Sequence, residues 1–121
     1  MTFEIPGVPP SNNVLLRCAR HIRWKQQTKQ TIASHVVAQV GKPRERETQR
    51  VRLAITVFRR RLLDPDNLVG GLKLLIDVLV RLGWLRQDSP EWLELVPPVQ
   101  VKAQNGYQRT RISIETLEEK C

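Results

Sequence analysis

The sequence predicts an α/β fold of the α+β kind: a mixed four-stranded sheet with two main helices, in the order β-α-β-α-β-β, whose last two strands form a hairpin. Three observations lead there. Residues 51–58, "VRLAITVF", alternate Val51, Leu53, Ile55 and Val57 with Arg52, Ala54, Thr56 and Phe58, the period of two of a strand rich in β-branched residues. Residues 22–40 and 66–82 instead repeat apolar side chains at helical spacing. "AQNGYQ" carries Asn105-Gly106, the pair that suits the positive φ angles of a two-residue type I′ turn.

The elements follow in order. "FEIPG" is a short first strand, and Pro9 and Pro10 behind it forbid continuation of a ladder. From about Ile22 to Val40, Trp24, Ile32, Val36 and Val40 mark one helix face, with Gly41 and Pro43 as the stop. The strand at 51–58 leads into the loop "RRRLLDPDN", and a second helix runs from about Asp66 to Leu82 with Gly83 ending it. Two strands near 93–102 and 107–117 flank the Asn-Gly turn. Pairing outward from that turn sets Lys102 against Arg109, Val101 against Thr110 and Val99 against Ile112. Opposed Lys102 and Arg109, with Arg111 beside them, repel; a phosphate backbone on that face relieves the repulsion, as do water and counterions.

Composition narrows the function. A chain of 121 residues is the size of one domain and buries about two-thirds of its unfolded surface. Its two cysteines, Cys18 and Cys121, lie far apart, and neither His21 nor His35 is spaced to join them as a zinc ligand, which suggests a reduced, intracellular setting. The start "MTFEIPGVPP" has no basic leader and no apolar core, and no apolar run approaches the ~20 residues of a membrane span, so a cytoplasmic protein is expected. Residues 1–61 carry 13 Lys and Arg against three acids, and residues 62–121 carry seven against nine. A basic protein whose acids collect in one half suits a polyanion-binding surface with a local acidic site; a solvated basic face accounts for the count equally well.

The second helix holds the chemistry. Leu68, Leu72, Leu75, Leu79 and Leu82 form its sheet face, while Asp66, Gly70, Lys73, Asp77 and Arg81 form a narrow polar stripe opposite. The rest of its circumference is apolar, so it should be buried on more than its sheet side, and a subunit contact is one way to cover the excess. Asp64 is placed to cap the helix with Pro65 at its first position. That does not explain Gly70-Gly71, which cost about 1 kcal/mol each relative to alanine within a helix. Either Gly70 leaves room for a ligand, or Gly71 admits a close backbone, or the helix starts later. Aspartates at a strand-to-helix junction also suit Mg²⁺, which takes carboxylate oxygens and keeps several waters, while a nearby lysine can stabilise a phosphoryl transition state. Asp88, in the turn of "GWLRQDSPEW", is a third carboxylate; Asp77, four residues after Lys73, is expected to pair with that lysine.

The order "PPSNN", a basic strand end, "DPDN", the lysine of "KLLID", "LGWL" and a following Asp resembles the RusA family of Holliday junction resolvases, short endodeoxyribonucleases often encoded by prophages. The resemblance spans nearly the whole chain and is most specific from Asp64 to Asp88. It implies one RusA-like nuclease domain over residues 1–121: a homodimeric, Mg²⁺-dependent enzyme, with Mn²⁺ as a substitute, that resolves four-way junctions by paired nicks in recombination and repair. The implied metal ligands are Asp64, Asp66 and Asp88, with Lys73 as the catalytic lysine. The DNA contacts expected are Asn12, Asn13, Arg59, Arg60, Arg61, Lys102, Arg109 and Arg111, although the asparagines also suit ordering of their turn. A bacterial or phage origin and a cytoplasmic, nucleoid-associated location follow from the same likeness. "VGGL" lengthens the interval before the lysine by about one helical turn, and Gln87-Asp88 stands where the family commonly has Asp-Asp. A catalytically silent DNA-binding module whose aspartates only cap a helix, and a nuclease for flaps, are the alternatives.

Overall fold

The computed structural model describes residues 1–11 and 22–117. They form β1 (Thr2–Pro6), α1 (Ile22–Val40), β2 (Val51–Arg59), α2 (Pro65–Gly71), α3 (Lys73–Leu82), β3 (Leu93–Leu95), β4 (Val99–Lys102) and β5 (Arg109–Thr116). Asn12, Asn13, Cys18, His21 and Cys121 lie outside the described residues.

The sheet is built around β2. Its alternation buries Val51, Leu53, Ile55 and Val57, each contributing about 1.5–3 kcal/mol by leaving water. A central strand needs partners for the peptide groups on both edges. β5 runs antiparallel along one edge from Val51 to Phe58. Along the other, β3 pairs parallel with Val51–Leu53 and β4 parallel with Thr56–Arg59. β1 adds to the outer edge of β5, antiparallel, giving a mixed five-stranded sheet in an α+β fold. The odd-numbered β2 residues share one core with Leu68, Leu72, Leu75 and Leu79 of the helical layer, Val36 of α1 and Ile112 of β5.

Two strand expectations are corrected. β4 and β5 do not form a hairpin, because β2 lies between them. Asn105 (φ 61°) and Gly106 (φ 69°) do adopt the left-handed conformation their chemistry favours. The turn they make carries the chain across the end of β2, where the Ala103 N–H donates to the Arg59 carbonyl at 2.6 Å. Asn-Gly specifies local dihedrals, not which strands pair. Lys102 therefore stands beside Arg59 and Arg109 beside Phe58, so the expected like-charge pair does not occur. The strand anticipated over 93–102 is two strands, parted at Pro97-Pro98, which lack the N–H groups a ladder needs. An edge position tolerates that interruption.

The second helix begins one residue earlier than expected, at Pro65, and is divided at Leu72. There the Leu72 N–H reaches back only to Val69, at 3.2 Å, before Ile76 resumes the α pattern with Leu72 at 3.0 Å. Gly71 shows why alanine is not used: a Cβ at that position would lie 1.9 Å from the Pro10 carbonyl oxygen. Of the readings left open for the glycine pair, close backbone approach is the one that holds for Gly71. Gly83 closes α3 in the left-handed conformation, and Arg46 donates to the exposed carbonyls of Val80 (2.8 Å) and Arg81 (3.3 Å).

Most of the apolar excess of this helix is covered within the chain, although Val69 remains 46% exposed. Leu74, Ile76 and Val78 are buried together with the sheet-facing leucines, and α1 packs along α3. A subunit contact is not needed to shield them.

Candidate functional site

The acidic loop leaves β2 after Arg59 and enters α2 at Asp64. Asp64 has extended dihedrals (φ −61°, ψ 149°), and its carbonyl accepts the Leu68 N–H at 3.0 Å, so the backbone is that of an N-cap. Its carboxylate, however, makes no capping hydrogen bond. Asp66 lies in the first turn, and Asp64, Asp66 and Lys73 are all exposed. None of the three enters an ion pair among the described residues. Asp77 does not pair with Lys73 as the four-residue spacing suggested; it reaches Lys29 of α1 at 3.3 Å. That leaves Lys73 exposed at the start of α3, seven residues after Asp66 in the sequence. Asp64→Ala should change unfolding free energy by no more than about 0.5 kcal/mol, whereas a capping aspartate would cost about 1 kcal/mol; chemical denaturation measures the difference.

The cations divide by position. Arg59 continues the inward series of β2 and is only 7% exposed. It donates through Nη2 to the Pro9 carbonyl, its buried Nε has no partner among the described residues, and burial pushes its guanidinium down from the ordinary value. Arg59 is thus turned away from any phosphate at the surface. Arg60 donates from Nε to the Gly106 carbonyl at 2.9 Å, and Arg61 is exposed. Lys102 is exposed at the end of β4, beside the start of the acidic loop. Arg109 and Arg111 lie on the face of the sheet away from the helices; both contact Glu4, at 3.1 and 3.3 Å, and Arg109 stacks 3.8 Å from the Phe58 ring centroid.

Asp88 lines a surface hollow with Lys29, Asp77, Val80, Arg81 and Gln87, towards the far end of α3. Among the described residues no three His, Cys, Asp or Glu side chains gather as a metal cage requires, so Asp64, Asp66 and Asp88 are not brought together. The donor set at the acidic loop is a pair of carboxylates. Such a pair suits Mg²⁺, which commonly takes one or two carboxylates and fills its remaining positions with water and substrate phosphate oxygens. A cavity of about 230 Å³ between β1, Pro9-Pro10 and α1 is a weaker candidate. The hydroxyls of Thr28, Thr31 and Thr110 in its wall are already committed to backbone carbonyls, which leaves His35 as its principal polar group.

Sequence reasoning missed the residues that shape the loop. Gln100 of β4 brackets the backbone of Leu63, and Gln108 accepts the Arg60 N–H at 3.2 Å. No local pattern marks either glutamine. The inward direction of Arg59 did have a signal, since it falls in phase with Val51 to Val57. Among the described residues, no helix is long and apolar enough to cross a membrane. Compared with known proteins, the chain matches no family model and no curated protein.

Proposed function

We propose that this protein is a metal-dependent endodeoxyribonuclease of the RusA type that cuts four-way DNA junctions. The observation that carries the reading is the unneutralised charge at the start of the second helix: Asp64 and Asp66 are exposed and, among the described residues, enter no ion pair, and Lys73 is free of the expected Asp77. A purely capping role gives the Asp64 carboxylate a bond that it does not make. The strongly basic first half of the sequence and the resemblance of its motifs to the resolvases support DNA as the substrate.

In this reading Asp64 and Asp66 supply the hard oxygen ligands for Mg²⁺. An ion held there would supply an activated water and offset charge on the phosphate. Lys73 donates to the phosphoryl oxygens, where negative charge grows in the transition state. Arg61 and Lys102 neutralise neighbouring phosphates. Paired nicks in opposing strands call for two such sites, hence two copies of the chain. With α3 covered internally, Val99, Val101 and Tyr107 (52%, 41% and 58% exposed) are the large apolar side chains left on the uncovered face of the sheet for such a contact.

Labelled four-way junction, flap and linear duplex, incubated with the protein at one fixed salt concentration, test the substrate. Preferential Mg²⁺-dependent cutting of the junction is expected. Equal cutting of all three makes the protein a general nuclease, and preference for the flap assigns it that substrate instead. Lys73→Ala should slow single-turnover junction cleavage by about 10²–10³-fold with little change in binding; a rate within twofold of wild type removes the lysine from the mechanism.

A further inference from the structure

The Asp64 carboxylate has no tether of its own: it makes no capping bond and, among the described residues, no ion pair. Its location is therefore set by the backbone on either side. On the helical side, Pro65 fixes φ and the Leu68 N–H holds the Asp64 carbonyl at 3.0 Å. On the other side the neighbour is Leu63, and one side chain from 37 residues further along the chain holds both of its peptide groups. Gln100 Oε1 accepts the Leu63 N–H at 2.9 Å, and Gln100 Nε2 donates to the Leu63 carbonyl. A carboxamide has one acceptor end and one donor end, so it completes both groups of a single residue as a neighbouring strand would.

This contact does more for the loop than for the strand that provides it. β4 is already held by parallel pairing with β2 over Thr56–Arg59 and by the Ala103 N–H on the Arg59 carbonyl. Gln100 stands opposite buried Val57 and so faces the helical layer, where the loop passes. Leu63 lies outside any helix or strand, and among the described residues its peptide N–H and carbonyl are both bonded to that amide. The opposite end of the loop is held separately, by Gln108 on the Arg60 N–H. Arg61 and Leu62 between the two anchors are exposed.

We propose that Gln100 is the positioning residue of the candidate active site, fixing the backbone from which Asp64 and then Asp66 project. This rests on the nuclease reading. Carboxylates that are not held by side-chain bonds depend on such outer support, and loss of supporting hydrogen bonds around a metal site costs about 10–100-fold in affinity or activity.

The test compares wild type, Gln100→Met and Gln100→Glu, with exposed Gln104→Met as control. Methionine retains the length and removes both bonds; glutamate keeps the acceptor and sets a carboxylate oxygen against the Leu63 carbonyl. For both Gln100 variants kcat for junction cleavage should fall about 10–100-fold with KM within about threefold of wild type. Tm should change by no more than about 4 °C, since β4 keeps its backbone pairing. Amide exchange at Leu63, Asp64 and Asp66 should accelerate at least about tenfold, and Gln104→Met should match wild type in every measure. A kcat within twofold of wild type, or a loss that tracks Tm and recovers on cooling, overturns the proposal. If wild type itself cuts no junction, the nuclease reading falls and exchange decides the anchoring alone: unchanged exchange in Gln100→Met overturns it, and acceleration confined to this loop supports it.

Discussion

Asp66→Asn is expected to bind a four-way junction at least as tightly as wild type while cutting it on the order of 10³-fold more slowly. The substitution keeps shape and removes a charge, so it withdraws a metal ligand and at the same time relieves repulsion of DNA phosphate. Asp66 is exposed and, among the described residues, enters no ion pair, so its replacement should leave Tm within a few degrees. That separates chemistry from folding. Gel-shift titration and single-turnover cleavage at one salt concentration give the two numbers. A parallel loss of binding and cutting would make Asp66 part of the scaffold.

Gly71→Ala should destabilise the protein strongly despite the better helix propensity of alanine. Propensity favours alanine by about 1 kcal/mol. Against it, the new Cβ would stand 1.9 Å from the Pro10 oxygen and 3.1 Å from the Pro10 carbonyl carbon, a backbone that cannot turn aside as a side-chain tip can. Relief requires moving either Pro9-Pro10, which Arg59 holds through the Pro9 carbonyl, or the junction of α2 and α3. Overpacking of this kind costs about 1–3 kcal/mol and at times more. Urea unfolding should show the lower midpoint; a rise would mean that the Pro10 contact is not a close one in solution. Because Lys73 begins α3 two residues on, a displaced junction should slow cleavage as well.

The fold was legible where local chemistry decides it. The bounds of α1 follow from its apolar spacing and the Gly41 and Pro43 stop, and β2 follows from its alternation. Strand pairing was not legible, because Asn105-Gly106 specifies two dihedral angles whichever strands they join, while the need of β2 for partners on both edges is a property of the whole sheet. Asp77 failed for a similar reason: the four-residue rule sees only one helix, and Lys29 comes from another. At the site, residue types nominated Asp64, Asp66 and Lys73 but could not reveal that Asp88 lines a hollow with Asp77. Arg59 was readable from its phase and was misassigned by its charge. Gln100 had no signal at all, since an amide reveals its partner only when the chain is folded.

Junction resolution is tested by a four-way junction labelled on each strand in turn and incubated with wild-type protein in Mg²⁺ and in a chelator. Nicks at symmetric positions in two opposing strands are expected, present with Mg²⁺ and absent with the chelator. Uncut junction under Mg²⁺ and Mn²⁺ alike, or cleavage that the chelator does not reduce, would contradict that expectation.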